Sequence, residues 1–287
     1  MYATCKPGNF LRIIICDLVM IIAASVITIA GSDHWRALET DYISLPIIMY
    51  HSIYDSDNGD YVVSPQTVEN DFKYLKNNGY NSVFIEDVIN YVYYDKELPE
   101  NPVVITADDG FYNNITYLLP LLEKYDMKAT ISVVGYYTEV LGANDPHIPE
   151  YSYMTWDDIK AASKSGRIEF ANHTYNMHSA SSRKGCAKLN YETEEEYAKA
   201  FIDDIGLMQS LTKINTGITP AIFTYPMGYI SKESIPLLKS MGFTAALNCY
   251  EKPNRINHDE NCLFTLNRYN RPAGISTEEF MKKALKV

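Results

Sequence analysis

The sequence predicts an α/β fold in which parallel strands and helices alternate within one large domain. From residue 44 onward, short apolar runs alternate with segments that carry the apolar period of a helix, and no linker interrupts this alternation. Strands that alternate with helices form a parallel sheet. The runs are apolar at successive positions, as in strands that are covered on both faces. About seven such strands can close into a barrel, and a chain of 287 residues is long enough for one.

Each predicted element has its own local signal. Ser64 and Pro65 form an N-cap and a first-turn proline, and Gly79 ends the helix that they begin. The acidic run at 192–196 begins a long helix, and Ser276 begins a capping box for the last helix. We predict strands at 45–50, 103–106, 129–134, 168–171, 221–225 and 243–247, and helices at 65–78, 86–94, around 118–122, 155–166, 192–213, 231–241 and from 276 onward.

Residues with chemical functions directly follow several of these strands. They are His51, Asp108, Asp109, His173 and Met227. In barrels and in open parallel sheets alike, ligands bind beyond the carboxyl ends of the strands. The sequence therefore predicts a functional site at this end of the sheet.

The central feature is the pair Asp108 and Asp109, which ends the strongest β-strand pattern and precedes Gly110. Two ionised carboxylates in a partly dry cleft repel each other, so a positive group is expected beside them. A divalent metal meets this need if one Asp is a ligand and the other stays free as a base. The alternative is a solvated turn in which Asp108 caps the following helix.

His173 and His178 are two further candidate ligands, five positions apart in the sequence. Neither a helix nor a strand places residues of this spacing on one face, so only an irregular loop brings both to one ion. With Asp109 they would supply two nitrogens and one oxygen and leave a position open, as in catalytic zinc sites. The alternative for each histidine is a solvated position in a loop.

Residues 1–31 carry the pattern of an export signal or an N-terminal membrane anchor. Lys6 and Arg12 precede a long apolar run, and 28–30 offers a cleavage site. Without cleavage, the run is long enough for one membrane anchor. Residues 32–43 are a predicted polar linker, followed by a catalytic domain at 44–287. We therefore expect the protein outside the cell or at its surface.

The net charge limits the kinds of partner that the protein can bind, and the spacing of the cysteines limits their roles. The net charge of −11 argues against a nucleic-acid partner, because nucleic acid selects basic surfaces. The cysteines show no CxxC spacing, which argues against a cysteine zinc site. Cys249 and Cys262 could form a disulfide that leaves Cys186 free, or all three could be free thiols. The sequence is compatible with both. No feature of the sequence sets an oligomeric state.

Four stretches, taken together and in this order, resemble the polysaccharide deacetylases, also known as carbohydrate esterase family 4 or the NodB-homology family. They are 47–53, 106–110, 172–178 and 225–228. The resemblance runs from about residue 44 to residue 285 and is strongest to the branch that acts on poly-N-acetylglucosamine or related wall and biofilm sugars. It implies a deformed (β/α) barrel with about seven repeats.

The resemblance also implies roles for the residues at the strand ends. Asp109, His173 and His178 would ligate a divalent metal, with zinc as the default and cobalt or nickel as similar fits. Asp108 would be the general base that takes a proton from water. Met227 would help to hold the developing oxyanion through its backbone N–H. No other cofactor is implied.

His51 would be the general acid, because the similar branch carries this group on its first strand. Its alternative is a neutral histidine in the core. The chain departs from the wider family at Ala107, where Phe is usual, and at Thr224, where an Arg usually pairs with the base. Arg268 resembles an Arg of the similar branch and is our candidate for that role. Arg271 is the second candidate, and a surface position is the alternative for both.

We therefore expect an exported, metal-dependent N-deacetylase of N-acetylated amino sugar polymers such as poly-N-acetylglucosamine, peptidoglycan or chitin-like chains. The expected partner is a polysaccharide, with possible membrane attachment through the N-terminal segment and without nucleic acid. One alternative is an esterase that removes O-acetyl groups with the same water and base. The other is a catalytically silent carbohydrate-binding domain at the cell surface.

Overall fold

The computed structural model of the protein describes residues 42–55, 59–144 and 146–285. The predicted signal or anchor at 1–31 and nearly all of the predicted linker lie outside these residues. The chain divides into two compact units, residues 1–43 and 44–287, and only residues 42 and 43 of the first are described. Among the helices of the described ranges, none is long and apolar enough to cross a membrane.

The predicted strands and helices all occur in the predicted order, and the structure adds several two-residue strands that were not predicted. The strands are β1 (Ile43–Ser44), β2 (Ile47–Tyr50), β3 (Ser52–Ile53), β4 (Val62–Val63), β5 (Asn81–Ser82), β6 (Pro102–Ala107), β7 (Ala129–Val133), β8 (Ile168–Asn172), β9 (Ile222–Thr224), β10 (Ala245–Leu247), β11 (Arg255–Ile256) and β12 (Tyr269–Asn270). The α-helices are α1 (Pro65–Asn77), α2 (Ile85–Tyr94), α3 (Leu119–Lys124), α4 (Trp156–Ala162), α5 (Glu194–Thr216), α6 (Ser234–Ser240) and α7 (Thr277–Leu285). Shorter π-helical turns cover Asn114–Leu118 and Tyr137–Leu141, and 3₁₀ turns cover Ser163–Ser165, Pro226–Gly228 and Glu260–Thr265.

Seven strands form the central sheet in the order β10-β9-β8-β7-β6-β2-β12, and every neighbouring pair is parallel. The short β5 pairs with β6 beside this path. A parallel bridge between Leu247 of β10 and Leu266 links one edge strand of the sheet to the segment that leads into the other edge strand, β12. The sheet therefore curls into an irregular barrel, and the predicted deformed (β/α) barrel with about seven strands is confirmed.

The last strand, β12, was not predicted from the pattern of residues. It has only two residues, Tyr269 and Asn270, which pair with Ile48 and Met49 of β2. A segment so short carries no alternation or apolar run that sequence reasoning can detect. Its position next to β2 matters for the site, because the side chain of Arg268, directly before β12, reaches Asp108 at the end of β6.

Local signals fix the ends of the helices much as predicted. The Ser64 hydroxyl accepts a hydrogen bond from the Thr67 N–H at 3.2 Å, and Pro65 begins α1. α5 begins after Thr193, which forms a capping box with Glu196. Gly217 ends α5 in the left-handed conformation with φ of 82°. Thr193 and Gly217 thus set the start and the length of α5, the helix that packs behind the site.

The strands of the sheet are buried on both faces, as their composition predicts. Every residue of β2, β6 and β7 is buried, and Ala107 at the end of β6 has no exposed surface. A site at the carboxyl ends of these strands therefore rests on a rigid, densely packed support.

Candidate active site

The chain turns sharply where β6 ends. The Asp108 N–H still donates to the Tyr50 carbonyl at 3.0 Å, which extends the pairing of β6 with β2. Asp109 and Gly110 then take left-handed conformations with φ of 71° and 74°. A side chain at Gly110 would lie 3.2 Å from Val133, so the turn also needs a small residue there.

Asp108 forms a two-pronged ion pair with Arg268 at the base of the cleft. The Nη1 and Nη2 atoms donate to Oδ1 and Oδ2 at 2.7 and 2.8 Å, and both side chains are almost fully buried. Burial raises the pKa of Asp108, but Arg268 and the nearby histidines hold it well below its usual range. Asp108 is therefore a carboxylate bound to Arg268 and not a helix cap, and the reading as a solvated turn is wrong.

Two groups that sequence reasoning missed hold Arg268 in place. Its Nε atom donates to the Asn248 carbonyl at 2.8 Å, and its Nη1 atom lies 3.3 Å from the Thr106 hydroxyl. Thr106 stands two positions before Asp108 on a strand, so the period of two puts both side chains on one face. That spacing is a signal in the sequence. The carbonyl of Asn248 offers no such signal, because every residue has one.

The two Arg candidates have separate partners, and neither lies on the surface. Arg271 is buried, and its Nε atom donates to Asp71 at 2.7 Å. Asp71 also accepts hydrogen bonds from the hydroxyls of Tyr50 and Thr277 at 2.9 and 2.6 Å. Arg271 therefore belongs to a polar network behind the barrel wall, whereas Arg268 faces the site.

Asp109, His173 and His178 form a compact cluster whose ligand atoms all lie within 4.8 Å of one another. Asp109 Oδ1 is 3.1 Å from the Nε2 atom of His178 and 3.7 Å from that of His173. The Nδ1 atoms point away from Asp109. That of His173 lies 2.8 Å from the Thr224 carbonyl oxygen, and that of His178 lies 3.3 Å from the Tyr137 hydroxyl. Both Nε2 atoms therefore face Asp109, and the described residues fit a divalent metal.

The pKa values within the cluster suit metal ligands. Burial lowers the pKa of His173 to about 4, so its imidazole is neutral at physiological pH. Burial raises the pKa of Asp109, but the hydrogen bond with His178 and the nearby histidines bring it below its usual value. Burial lowers the pKa of His178, and the hydrogen bond with Asp109 outweighs this and raises it. The cluster thus offers a carboxylate and one neutral imidazole, while at His178 an ion competes with a proton for the ring.

His51 directly follows β2 and lies beside Asp108 in the cleft. Its Nε2 atom is 4.0 Å from Asp108 Oδ2, and its ring meets Tyr61 edge-on with the centroids 4.7 Å apart. Its Nδ1 atom is buried and has no hydrogen-bond partner among the residues that the structure describes. Burial lowers the pKa of His51, although the charges of Asp108 and Asp109 oppose this. The side chain is 14% exposed and reaches the cleft, so it is not sealed in the core.

A strained turn at the end of β9 carries Met227 to the rim of the cleft. Met227 has φ of 57°, and the next residue, Gly228, has φ of 72°. A Cβ at Gly228 would lie 2.3 Å from the Cys249 sulfur, and one at Gly185 would lie 2.4 Å from the Pro226 carbonyl oxygen. Backbone in this uncommon conformation persists only where its surroundings hold it, and such positions cluster at functional sites.

The predicted site residues all line one open cavity of about 650 Å³. They are His51, Asp108, Asp109, His173, His178, Met227 and Arg268. The cavity is of the size that binds small molecules or part of a polymer. Cys249 also lines it and, like Cys186 and Cys262, is a free thiol, so the structure has no Cys249–Cys262 disulfide.

The fold and the site together define a barrel protein with a candidate metal centre, a paired carboxylate and a histidine in one cleft. The model of the polysaccharide deacetylase family matches residues 95–246, more than half of the chain. The chain belongs to the polysaccharide deacetylase family, and the resemblance seen in the sequence is confirmed.

Relatives and solved structures agree with this assignment. The poly-beta-1,6-N-acetyl-D-glucosamine N-deacetylase of Escherichia coli (strain K12) is 25% identical over 68% of this chain and 32% of its own length. The putative polysaccharide deacetylase YxkH of Bacillus subtilis (strain 168) is 26% identical over 82% of this chain and 74% of its own. A de-N-acetylase from Aggregatibacter actinomycetemcomitans superposes with a TM-score of 0.70 and 25% identity, over 83% of this chain and all of the other. The chain spans about a third of the E. coli relative.

Proposed function

We propose that the protein is a metal-dependent N-deacetylase that hydrolyses the acetamide groups of an N-acetylated amino sugar polymer. This proposal is supported above all by the groups that surround one atom, Asp108 Oδ2. It lies 4.0 Å from His51 Nε2 and 3.9 Å from His173 Nε2, and Arg268 holds the carboxylate ionised. A base, a candidate acid and the edge of a metal site thus surround one point in the cleft.

Asp109, His173 and His178 would hold the ion. A carboxylate and two imidazoles leave a position open, and zinc is our proposal for this donor set, while cobalt and nickel fit similar ligands. When bound, the ion supplies Lewis-acid polarisation of a carbonyl and lowers the pKa of water.

The residues of the chain would carry the proton transfers. Asp108 accepts a proton from the water that attacks the acetamide carbonyl, and Arg268 keeps this carboxylate in place. The backbone N–H of Met227 at the rim donates to the oxygen on which negative charge develops. As the C–N bond breaks, His51 gives a proton to the nitrogen. The products are a free amine on the sugar and acetate.

A polysaccharide substrate fits the relatives and the cleft. The E. coli relative is named for deacetylation of poly-beta-1,6-N-acetyl-D-glucosamine, and we propose this polymer or a related wall polymer for the present chain. Such polymers lie outside the cytoplasm, so the proposed location is the cell surface or the medium. The apolar run at 11–30 is the proposed export signal or membrane attachment.

One observation favours an O-acetyl esterase as a second candidate. Burial lowers the pKa of His51, so a smaller fraction of its imidazole carries the proton that it would donate. An amide needs a proton on its leaving nitrogen, whereas an ester with a good leaving group needs none. His51 is therefore the residue whose replacement separates the two activities.

We expect His51→Ala to lower the rate of amine release from an N-acetylglucosamine oligomer by about 10²–10⁴-fold, since general acid catalysis contributes this much. Hydrolysis of an acetyl ester with a good leaving group should fall far less. The measurement compares kcat/KM on both substrates for the zinc-loaded proteins. His258→Ala is the matched control, because His258 is exposed and pairs with Asp95 away from the cleft.

Three other outcomes contradict the proposal in different ways. Equal losses on amide and ester substrates would remove His51 from the role of acid. A wild-type protein that cleaves esters and leaves every acetamide intact would be an esterase. Carbohydrate binding without any hydrolysis, in a fully metallated preparation, would identify a silent binding domain.

A further inference from the structure

The five-residue spacing of His173 and His178 requires a loop that neither helix nor strand geometry supplies. After β8 the chain enters this loop through Thr174, whose φ is 71°. A residue other than Gly in this conformation is disfavoured, so the surroundings must stabilise it. The loop residues 174–177 therefore set where the His178 imidazole lies relative to Asp109.

Helix α5 supplies an anion to this loop. Asp204 lies near the middle of the helix, and its Oδ1 and Oδ2 atoms accept hydrogen bonds from the N–H groups of Tyr175 and Asn176 at 2.8 and 2.9 Å. One carboxylate thus binds two successive backbone donors two and three residues before His178. Hydrogen bonds from N–H groups to an ionised carboxylate are short and roughly twice as strong as neutral ones.

The opposite edge of the loop is held by the segment that follows β7. The carbonyls of Thr174 and Tyr175 accept hydrogen bonds from the N–H groups of Gly135 and Tyr136 at 3.0 and 2.8 Å. A Cβ at Gly135 would lie 2.7 Å from the Tyr175 ring, so the two segments are in close contact. The loop is therefore fixed on one side by backbone and on the other by one side chain, Asp204.

The entry to the loop is fixed by the same helix. Asn172, the last residue of β8, accepts a hydrogen bond from the Thr174 N–H at 2.9 Å. Its amide nitrogen donates to the Ile205 carbonyl and to Gln209 at 3.2 and 3.1 Å. α5 therefore controls both the start of the loop and its middle.

We propose that Asp204 is the positioning residue of the metal site, which holds the loop at 174–177 so that His178 meets the same ion as Asp109 and His173. It touches neither the ion nor the substrate and acts only through His178. The inference rests on the proposed metal-dependent function. Groups that orient a metal ligand from behind typically contribute 10–100-fold to metal affinity, and we assign that role to Asp204.

The test is the affinity of the full chain for Zn²⁺, measured by competition with a chromophoric chelator and therefore independent of turnover. We expect Asp204→Asn to weaken Zn²⁺ binding by about 10–100-fold, because the amide accepts one N–H and presents its own donors to the other. Asp203→Asn is the matched control, since the neighbouring Asp203 is 62% exposed and pairs with Lys199 on the same helix. Its Zn²⁺ affinity should equal that of the wild type.

A double-mutant cycle with His178→Ala separates positioning from general support of the fold. In the His178→Ala background, Asp204→Asn should lose most of its effect on Zn²⁺ affinity, because the ligand that it positions is gone. Asp204→Ala is measured in parallel, so that failure of one variant to fold leaves the other to decide.

Three results would overturn the inference, and they are distinguishable. Wild-type affinity in a folded Asp204 variant removes the positioning role and leaves the proposed deacetylase intact. A wild-type protein that binds no Zn²⁺ and no other divalent transition metal removes the metal site, and the inference falls with it. Effects of Asp204→Asn that are equal with and without His178 would mark it as part of the fold only.

Discussion

Asp108→Asn should lower kcat/KM for amine release by about 10²–10⁴-fold while leaving Zn²⁺ binding in place. The substitution keeps the shape of the side chain but removes the negative charge that accepts a proton from water, and general base catalysis contributes a factor of this size. The ligand set does not include Asp108, so metal affinity should change little. Kinetics on an N-acetylglucosamine oligomer, together with the zinc content of the same samples, measure both quantities.

The matched control for this substitution is Asp95→Asn. Asp95 is 87% exposed and ends α2 in the left-handed conformation, which Asn also adopts readily. Its activity should equal that of the wild type. Activity of Asp108→Asn within a few-fold of the wild type would show that another group takes the proton and would remove Asp108 from the role of base.

Arg268→Met should destabilise the protein by about 3–5 kcal/mol, because removal of one partner leaves the other as an uncompensated buried charge. Asp108 is 3% exposed and would lose both of its short hydrogen bonds to the guanidinium. Without these bonds Asp108 also loses its fixed position, so deacetylation should fail in the protein that remains folded. Urea unfolding at fixed temperature measures the change in the free energy of unfolding.

Two further variants test the cause of this destabilisation. Arg167→Met is the control, because its ion pair with Asp126 lies on the surface and such pairs contribute about 0–1 kcal/mol. The double variant Arg268→Met with Asp108→Asn should be more stable than Arg268→Met alone, since it buries no unpaired charge. A double variant that is less stable than Arg268→Met alone would show that packing of the guanidinium, and not charge, accounts for the loss.

Much of the fold and site follows from patterns in the sequence that extend over several residues. The apolar runs of β2, β6 and β7 predict strands buried on both faces, and the structure buries every residue of them. Because the carboxyl ends of parallel strands meet at one end of a barrel, His51, Asp108 and His173 had to lie near one another. The sequence alone therefore predicts which residues share the cleft.

The sequence left two candidates, Arg268 and Arg271, for the arginine that pairs with Asp108. Arg268 and Arg271 are three positions apart beside β12, a strand too short to have a recognisable pattern. Pairing of Tyr269 with Ile48 fixes the register of this segment, and that register directs Arg268 to the cleft and Arg271 to Asp71. The choice depends on tertiary contacts that no local pattern encodes.

Thr224 stands where the family usually has an Arg that pairs with the base, and in this chain the Arg comes from a position next to a different strand, β12. Its hydroxyl is 2.8 Å from the Ser132 hydroxyl, and its carbonyl accepts a hydrogen bond from His173. Thr224 therefore supports a candidate ligand, while Arg268 supplies the charge beside Asp108 from across the closing edge of the barrel. The structure thus has an Arg next to the carboxylate although the expected position lacks one.

The contacts of the Tyr137 hydroxyl and of the Asp204 carboxylate could not be predicted from the sequence. Tyr137 lies in a π-helical turn, and Asp204 lies on a helix far along the chain from the loop that it contacts. Tyr137 contacts the ring of His178, and Asp204 binds the backbone N–H groups of Tyr175 and Asn176 in the loop before it. Contacts of this kind have no fixed spacing from the ligand, so only the folded structure reveals them.

The central claim is that a divalent metal held by Asp109, His173 and His178 is needed for deacetylation. The most direct measurement is the release of free amine from an N-acetylglucosamine oligomer by one preparation before chelation, after removal of the metal and after reloading with Zn²⁺. We predict that activity falls to background on removal and returns in proportion to the zinc bound. Full activity in the metal-free protein would contradict the claim.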